Sequence, residues 1–447
     1  MLKEGQTHTL TVEGYSSEGH GVARVDGQVV FVKGALHGET CQALIEHVGH
    51  SAAWARVEEL PAPSPARLTP DCPYYAQCGG CQTRHMTYAE ELRFKADKVR
   101  NALARIGGVD PVEVPIHAAQ DSARYRNKVQ FPVAPGPAIG YFQARTHRVI
   151  DVDDCLLTPA ACAPIRRSVK DWMVAHNVPA YDELTHTGLI RHLYIRFNAA
   201  GESLVCLVAN GRSLPQEEAL VAALRAAEPG LTGVSLNVNQ EKTNVILGKR
   251  YRTLWGRDYL MDELCGLQFK LSVPSFFQVN RPQAEVLYGL AADFAALTGT
   301  ETLLDLYCGT GTIGLSMAHR AREVIGVEVV APAVADAREN ARRNGVANAR
   351  FLCADAGAAA AQLEREGVRP DVVVVDPPRK GLSGQVVDAL LALSPHRVVY
   401  VSCDCATLAR DLKALARGYT LTRVEAVDMF PRTHHVETAA LLEKTSP

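Results

Sequence analysis

The sequence predicts a multidomain α/β protein. A small N-terminal β-barrel precedes a central α+β unit with a cysteine cluster, and a doubly wound, Rossmann-like domain closes the chain. Three observations carry that prediction. Short β-branched runs punctuated by glycine fill residues 1–60. Three cysteines fall within residues 72–81. Apolar runs at 302–306, 323–327, 371–375 and 397–401 alternate with alanine-rich helical stretches, as suits strands buried on both faces of a parallel sheet.

The length of 447 residues fits two or three domains, and 47% hydrophobic content excludes a disordered chain. No apolar run approaches the ~20 residues of a membrane span, so no membrane partner is expected. The polar start Met1–Gly5 lacks the apolar stretch of a signal peptide. A cytoplasmic monomer is expected. In that reducing compartment the 12 cysteines read as ligands or nucleophiles before disulfides. The net charge of −2 conceals a segment, 66–170, with 15 basic and 10 acidic side chains, which is compatible with a local polyanion-binding surface.

In residues 1–60, the turn Asp26-Gly27 between Gly21–Val25 and Gln28–Val32 is a strong hairpin signal. The proline-rich stretch 61–65 marks a linker. The central unit, 61–265, opens with Cys72-x5-Cys78-x2-Cys81. A fourth ligand is needed, and Cys155, in Asp151-Val152-Asp153-Asp154-Cys155, is the candidate, with Cys162 as a substitute. Spacing leaves an iron–sulfur cluster and a four-thiolate zinc site both open. Thr87 and Glu90 then form a capping box. Leu92, Ala96, Val99, Leu103 and Ile106 follow at helical spacing, and Gly107-Gly108 stops the helix. Arg93, Lys95, Lys98, Arg100 and Arg105 fall largely off that stripe and read as a solvated basic face. The run Arg124-Tyr125-Arg126-Asn127-Lys128 mixes cations with an aromatic ring, a composition that can grip phosphates and stack on unpaired bases.

In the last unit, 266–447, the strand ending at Tyr307 runs into Gly309-x-Gly311-Thr312-x-Gly314. Glycines there permit a tight turn and close approach of a ligand. The next strand ends in Glu328, placed to accept hydrogen bonds from ribose hydroxyls. A dinucleotide fold is the first competitor. The third strand end supplies Asp355 and the fourth supplies Asp376-Pro377-Pro378-Arg379. That pattern resembles S-adenosylmethionine-dependent methyltransferases. There the third-strand acid faces adenine and the D-P-P motif faces the transferred methyl.

The following strand ends in Ser402-Cys403-Asp404, which puts a thiol at the crevice. A thiolate can add to C6 of uracil and make C5 nucleophilic, and it can leave again once the C5 proton is gone. A base is therefore required. Glu437, before the final apolar strand, is the candidate, with His435 placed to orient it; His434 reads as a surface residue.

The motifs S-C-D-x-A-T-L-A-R-D-L (402–412) and F-P-R-T-x-H-V-E (430–437) resemble the RNA uracil-C5 methyltransferases. The likeness extends to 275–280 and 125–131. It implies Cys403 as nucleophile and Glu437 as base. It implies Gln278, Tyr307, Gly309, Gly311, Thr312, Glu328, Asp355 and Asp376 around S-adenosylmethionine. It sets Phe276 beside a flipped uracil, with Arg126, Lys128, Arg379 and His435 toward the RNA. It favours a [4Fe–4S] cluster on Cys72, Cys78, Cys81 and Cys155, with zinc as the alternative, and a TRAM domain for the barrel. It makes 23S ribosomal RNA the first expected partner and transfer RNA the second. One departure is Asp404-Cys405, where the family often has Asn-Pro. Cys405 reads as a packing substitution; its competitor is the second thiol of an RNA cytosine-C5 enzyme. Asp355 stands where some relatives have Asn.

Overall fold

The computed structural model describes residues 2–110 and 113–445. Strands β1 (Thr7–Thr11), β2 (Gly14–Tyr15), β3 (Gly21–Val25), β4 (Gln28–Lys33), β5 (Thr40–Val48) and β6 (Ala52–Glu59) form a curled sheet in the order β1-β5-β6-β4-β3-β2. Asp26 and Gly27 both have positive φ, 49° and 83°, which is the twist a two-residue hairpin needs. Alternate residues, among them Leu10, Ala23, Val30, Val32, Ala43 and Ile45, close a small core of their own.

Residues 60–87 contain no helix or extended strand. Helix α1 (Tyr88–Ala102) then begins where the Thr87 hydroxyl accepts from the Glu90 amide at 3.3 Å. It ends in a π-type turn closed by Gly108 at φ 65°. Its buried stripe differs from the expected one. Glu91, Phe94, Lys95 and Val99 face inward, while Ile106 is exposed. Lys95, expected on a solvated basic face, is 0% exposed. Lys98 also points inward, donating to the His434 carbonyl at 2.8 Å.

After β7 (Ile116–His117) come β8 (Lys128–Ala134), β9 (Ala138–Phe142), β10 (Val149–Asp151), α2 (Cys162–Ala175), β11 (Ile190–Phe197), β12 (Ser203–Ala209), α3 (Glu217–Ala227), β13 (Leu231–Val238) and β14 (Arg250–Gly256). Their sheet runs β10-β9-β8-β11-β12-β13-β14. Only β12 and β13, joined through α3, pair in parallel. Ile165, Val169 and Trp172 of α2 and Leu220 and Leu224 of α3 cover one face.

The hairpin β15 (Tyr259–Leu264) and β16 (Leu267–Ser272) leads into α4 (Arg281–Ala295), β17 (Thr302–Leu306), α5 (Thr312–Met317), β18 (Glu323–Glu328), α6 (Ala331–Arg343), β19 (Ala349–Cys353), α7 (Ala356–Arg365), β20 (Val372–Val375), α8 (Gly384–Leu393), β21 (Arg397–Ser402), α9 (Cys405–Leu415), β22 (Tyr419–Val427) and β23 (Glu437–Lys444). The order is β19-β18-β17-β20-β21-β23-β22-β7. The four expected apolar runs form parallel strands. Helices α7, α8 and α9 pack on one face and α4, α5 and α6 on the other, which is the doubly wound arrangement.

The packing differs from the expected division at 265/266. That point falls in the turn between β15 and β16, whose Leu264, Phe269 and Leu271 bury into the C-terminal core. Val99 and Leu103 join the same domain's other core, and β7 extends its sheet. The segment 88–117 thus packs with the C-terminal domain although it precedes the central sheet. Among the described residues no helix is long and apolar enough to cross a membrane.

Candidate active site

Strand β17 is flanked by β18 on one side and β20 on the other. The chain winds in opposite directions from it, and a crevice opens at the carboxyl ends of these strands. Tyr307 adopts φ 66°, a strained conformation for a non-glycine that marks functional loops. Gly311 has φ 83°, and a Cβ there would meet Leu315, Phe351 and Ala337 at 3.1 to 3.3 Å. Only glycine fits.

The carboxylate of Glu328 accepts from the Gly309 amide at 3.2 Å and the Val330 amide at 2.8 Å. Thr312 shares a hydrogen bond with Tyr288 at 3.1 Å. Asp355 accepts from the Gly357 and Ala358 amides through Oδ1, capping α7. The Gln278 carbonyl accepts from Asn127 at 2.9 Å, which ties its loop to the central sheet.

One residue here was missed by the sequence reading. Asp305, inside β17, accepts from the Gly314 amide at 2.9 Å, while its Oδ1 is buried without a partner. Burial pushes its carboxyl up to about 7, with Asp376 and Glu328 adding to the effect. An acid within an otherwise apolar run was the available signal.

The antiparallel register of β21 and β23 pairs Val401 with Ala439 and Ser402 with Thr438. Cys403 follows the last paired residue of β21, and Glu437 is the first residue of β23. Parallel pairing of Val375 with Tyr400 brings the loop starting at Asp376 alongside. The three groups feel one another. Burial pushes the Cys403 thiol up to about 11, with Glu437 and Asp376 adding and Arg379 opposing. Burial pushes Glu437 up to about 8, with Asp376 adding and Arg379 again opposing. Burial also lifts Asp376 to about 7. Arg379 is exposed and is the cation facing this acidic, thiol-bearing corner.

Asp404 caps α9, accepting from the Ala406 and Thr407 amides at 2.9 and 3.0 Å. Asn caps equally well, so the departure from Asn-Pro keeps the cap and gives up only the proline at the first helical position. Cys405 is 5% exposed and packs in the core, with its sulfur 3.9 Å from the Lys98 carbonyl. His435 differs from expectation. Its ring packs edge-on to Phe430 and 4.2 Å from that of His434. Among the described residues no hydrogen bond joins it to Glu437, and burial pushes it down to about 3. His434 is half-buried, not a surface ring.

Phe276 is 65% exposed, with the Lys128 ammonium 5.9 Å from its ring centroid. Burial pushes Lys128 down to about 8, helped by Arg196 and Arg126. The rest of the basic run turns elsewhere. Arg124 grips Asp154 in bidentate fashion and donates to the carbonyls of Cys155 and Thr158 at 2.9 Å. Arg126, expected against RNA, lines a cavity instead.

That cavity, of about 130 Å³, is lined by Cys72, Cys78, Cys81 and Cys155 together with Tyr75, Arg84 and Tyr141. Cys162 packs in the central core. Burial pushes the Cys78 thiol up, with Cys155 and Cys72 adding. It pushes Cys81 up to about 11 against the opposing Arg84. Nε and Nη2 of Arg84 and Nε of Arg126 are buried donors without acceptors. Among the described residues no three His, Cys, Asp or Glu side chains close on one point as a single metal ion requires.

Comparison with known proteins bears on the family and the fold. The family model described as tRNA (Uracil-5-)-methyltransferase matches residues 233–445, and that of the TRAM domain matches 2–56. An uncharacterized RNA methyltransferase of Halalkalibacterium halodurans is 42% identical over 97% of this chain and 96% of its own. One from Clostridium tetani is 39% identical over 99% and 97%. Among solved structures, the tRNA (uracil-54, C5)-methyltransferase of Pyrococcus abyssi in complex with S-adenosyl-L-homocysteine superposes with TM-score 0.80 and 26% identity. It covers 97% of this chain and 99% of that one.

Proposed function

The chain belongs to the tRNA (uracil-5-)-methyltransferase family of S-adenosylmethionine-dependent RNA methyltransferases, and on that premise we propose that it forms 5-methyluridine with Cys403 as nucleophile and Glu437 as base. The observation that supports this reading is the register of β21 and β23, whose last pair, Ser402 with Thr438, leaves Cys403 and Glu437 as the next residues of the two chains.

S-adenosylmethionine supplies the methyl group. Gln278, Tyr307, Gly309, Gly311, Thr312, Glu328, Asp355 and Asp376 are the residues proposed to hold it. The uracil leaves its RNA stack and lies against Phe276. The Cys403 thiolate adds to C6, and the C5–C6 π electrons move toward C5 and the adjacent carbonyl. C5 bonds to the methyl carbon as the bond from that carbon to the sulfonium sulfur breaks, its electron pair remaining on sulfur. Glu437 then takes the C5 proton; the C–H electron pair restores the double bond and expels the Cys403 thiolate. Burial favours the protonated form of both thiol and carboxyl in the free protein. Arg379 is the cation that favours their ionised forms.

The RNA we assign first to 23S ribosomal RNA. That reading rests on the resemblance of a TRAM barrel joined to a cysteine-cluster segment to the large-subunit ribosomal RNA enzymes. Transfer RNA is the second reading, supported by the activity named for the Pyrococcus abyssi neighbour. Mapping 5-methyluridine in both RNAs from a deletion strain separates them. Loss at a 23S uridine is expected. Loss confined to tRNA moves the assignment to the second reading, and no loss in either contradicts both.

We also assign a [4Fe–4S] cluster to Cys72, Cys78, Cys81 and Cys155. Four thiols on one cavity support it, as do three buried guanidinium donors with no acceptor, since such donors suit thiolates and sulfide. A single zinc needs four sulfurs converging on one point at about 2.3 Å. The cluster gives a segment without regular structure the folding energy that burial does not supply, and no step of methyl transfer passes through it. Anaerobic purification is expected to give a broad visible absorbance and about four iron per chain. One equivalent of zinc without iron reverses the assignment.

A further inference from the structure

The segment that delivers Glu437 to the crevice, 428–436, has no helix or strand. Its backbone groups must therefore find partners elsewhere, and most of those partners lie early in the chain. The Phe430 carbonyl accepts from Lys95 at 3.2 Å and the His434 carbonyl from Lys98 at 2.8 Å. The Pro431 carbonyl accepts from the Tyr125 hydroxyl at 3.1 Å. The Arg432 carbonyl accepts from the amides of Gln82 and Thr83 at 3.0 and 3.3 Å. Gln82 directly follows Cys81. Its own carbonyl accepts from Tyr75 at 2.8 Å, and its side chain donates to the Gly79 carbonyl at 2.8 Å.

Beneath this loop lies a buried ionic cluster. Lys95 Nζ is held by Glu91 at 2.7 Å and Asp428 at 2.6 Å, and all three side chains are 0% exposed. Tyr88 donates to the other Asp428 oxygen at 2.7 Å. The Arg432 amide donates to Glu91 at 2.7 Å, and its guanidinium reaches the Met86 carbonyl and the Ser122 hydroxyl. Arg432 has φ 68°, a conformation a non-glycine keeps only where its surroundings over-determine it. Glu437 opens strand β23 directly after this loop, whereas Cys403 directly follows strand β21, and among the described residues no hydrogen bond joins Cys403 to the cluster.

We propose that Lys95, Glu91, Asp428 and Arg432 form a positioning device that sets the Glu437 loop from the cysteine-bearing segment, so that order at the cysteine site governs the proton-removal half of the reaction. This rests on the reading of Glu437 as the base. The device acts through the loop, so its loss spares attack by Cys403 and impairs release.

Two measurements on the full-length protein test it. In the first, Lys95→Met and Arg432→Ala are compared with Glu437→Gln for formation and release of the methylated protein–RNA adduct. Both variants are expected to form adduct and release it about 10²-fold more slowly than wild type, with Arg432→Lys partly restoring release. Wild-type release in Lys95→Met and Arg432→Ala beside a trapped adduct in Glu437→Gln overturns the inference and leaves the base intact. Absence of a trapped adduct in Glu437→Gln overturns the base reading itself. The second measurement is tryptic cleavage after Arg432, which needs no turnover. Cys81→Ala is expected to expose that bond selectively. Continued protection, or cleavage spread evenly over the chain, overturns the link to the cysteine segment.

Discussion

Cys403→Ala is expected to abolish methylation and the covalent RNA adduct together, lowering turnover by more than about 10⁴-fold. Without addition at C6 the ring keeps its conjugation, and C5 has no electron pair to offer. Cys405 does not rescue the reaction, because it is 5% exposed and packed in the core from the first turn of α9. Cys405→Ala is correspondingly expected to keep most of the activity and to lose some stability. Denaturing gels with methyl-labelled cofactor read both outcomes. Normal turnover by Cys403→Ala, or its loss in Cys405→Ala alone, contradicts the assignment.

Glu437→Gln is expected to leave methyl transfer possible and to block release of the product. The amide keeps the shape of the acid and cannot take the C5 proton. Methylated RNA should therefore remain bonded to Cys403, with release slowed by about 10²- to 10⁴-fold. The same group sets the wild-type pH profile. Burial puts Glu437 near 8 in the free protein, so at neutral pH most of it is protonated and inactive as a base. kcat/KM should rise with pH through about 8. Cys403, near 11, must also lose its proton, so both groups push the profile upward and neither produces a falling limb. Lys128, pushed down to about 8 beside Phe276, loses its charge in the same range and supplies a falling limb of its own, so it is the absence of any rise toward 8 that contradicts this assignment.

The C-terminal strands were legible because a parallel strand covered on both faces must be apolar throughout, as Val372–Val375 is. The thiol and the carboxyl were legible because motifs mark them, but their meeting depends on the β21–β23 register. The cysteine set was legible from spacing, and the cavity brings Cys155, not Cys162, to the other three. The charged residues were least legible. Lys95 reads as surface at its helical position, and its burial is made tolerable by Glu91 one turn earlier together with Asp428, 333 residues later. Arg124 and Arg126 read as phosphate grips, while Asp154 holds Arg124 and Arg126 lines the cysteine cavity. Asp355 and Asp404 carry helix caps in addition to any role at the crevice, a duty that strand-end position alone does not reveal.

The most direct test of the account is peptide mapping of the wild-type protein after reaction with RNA carrying 5-fluorouridine at the target position. Fluorine at C5 leaves no proton for Glu437 to remove, so the adduct should persist. The account predicts one RNA-bearing peptide, cross-linked through Cys403, with the methyl group on the pyrimidine. A cross-link at Cys405 or any other residue contradicts it, as does turnover that leaves no adduct at all.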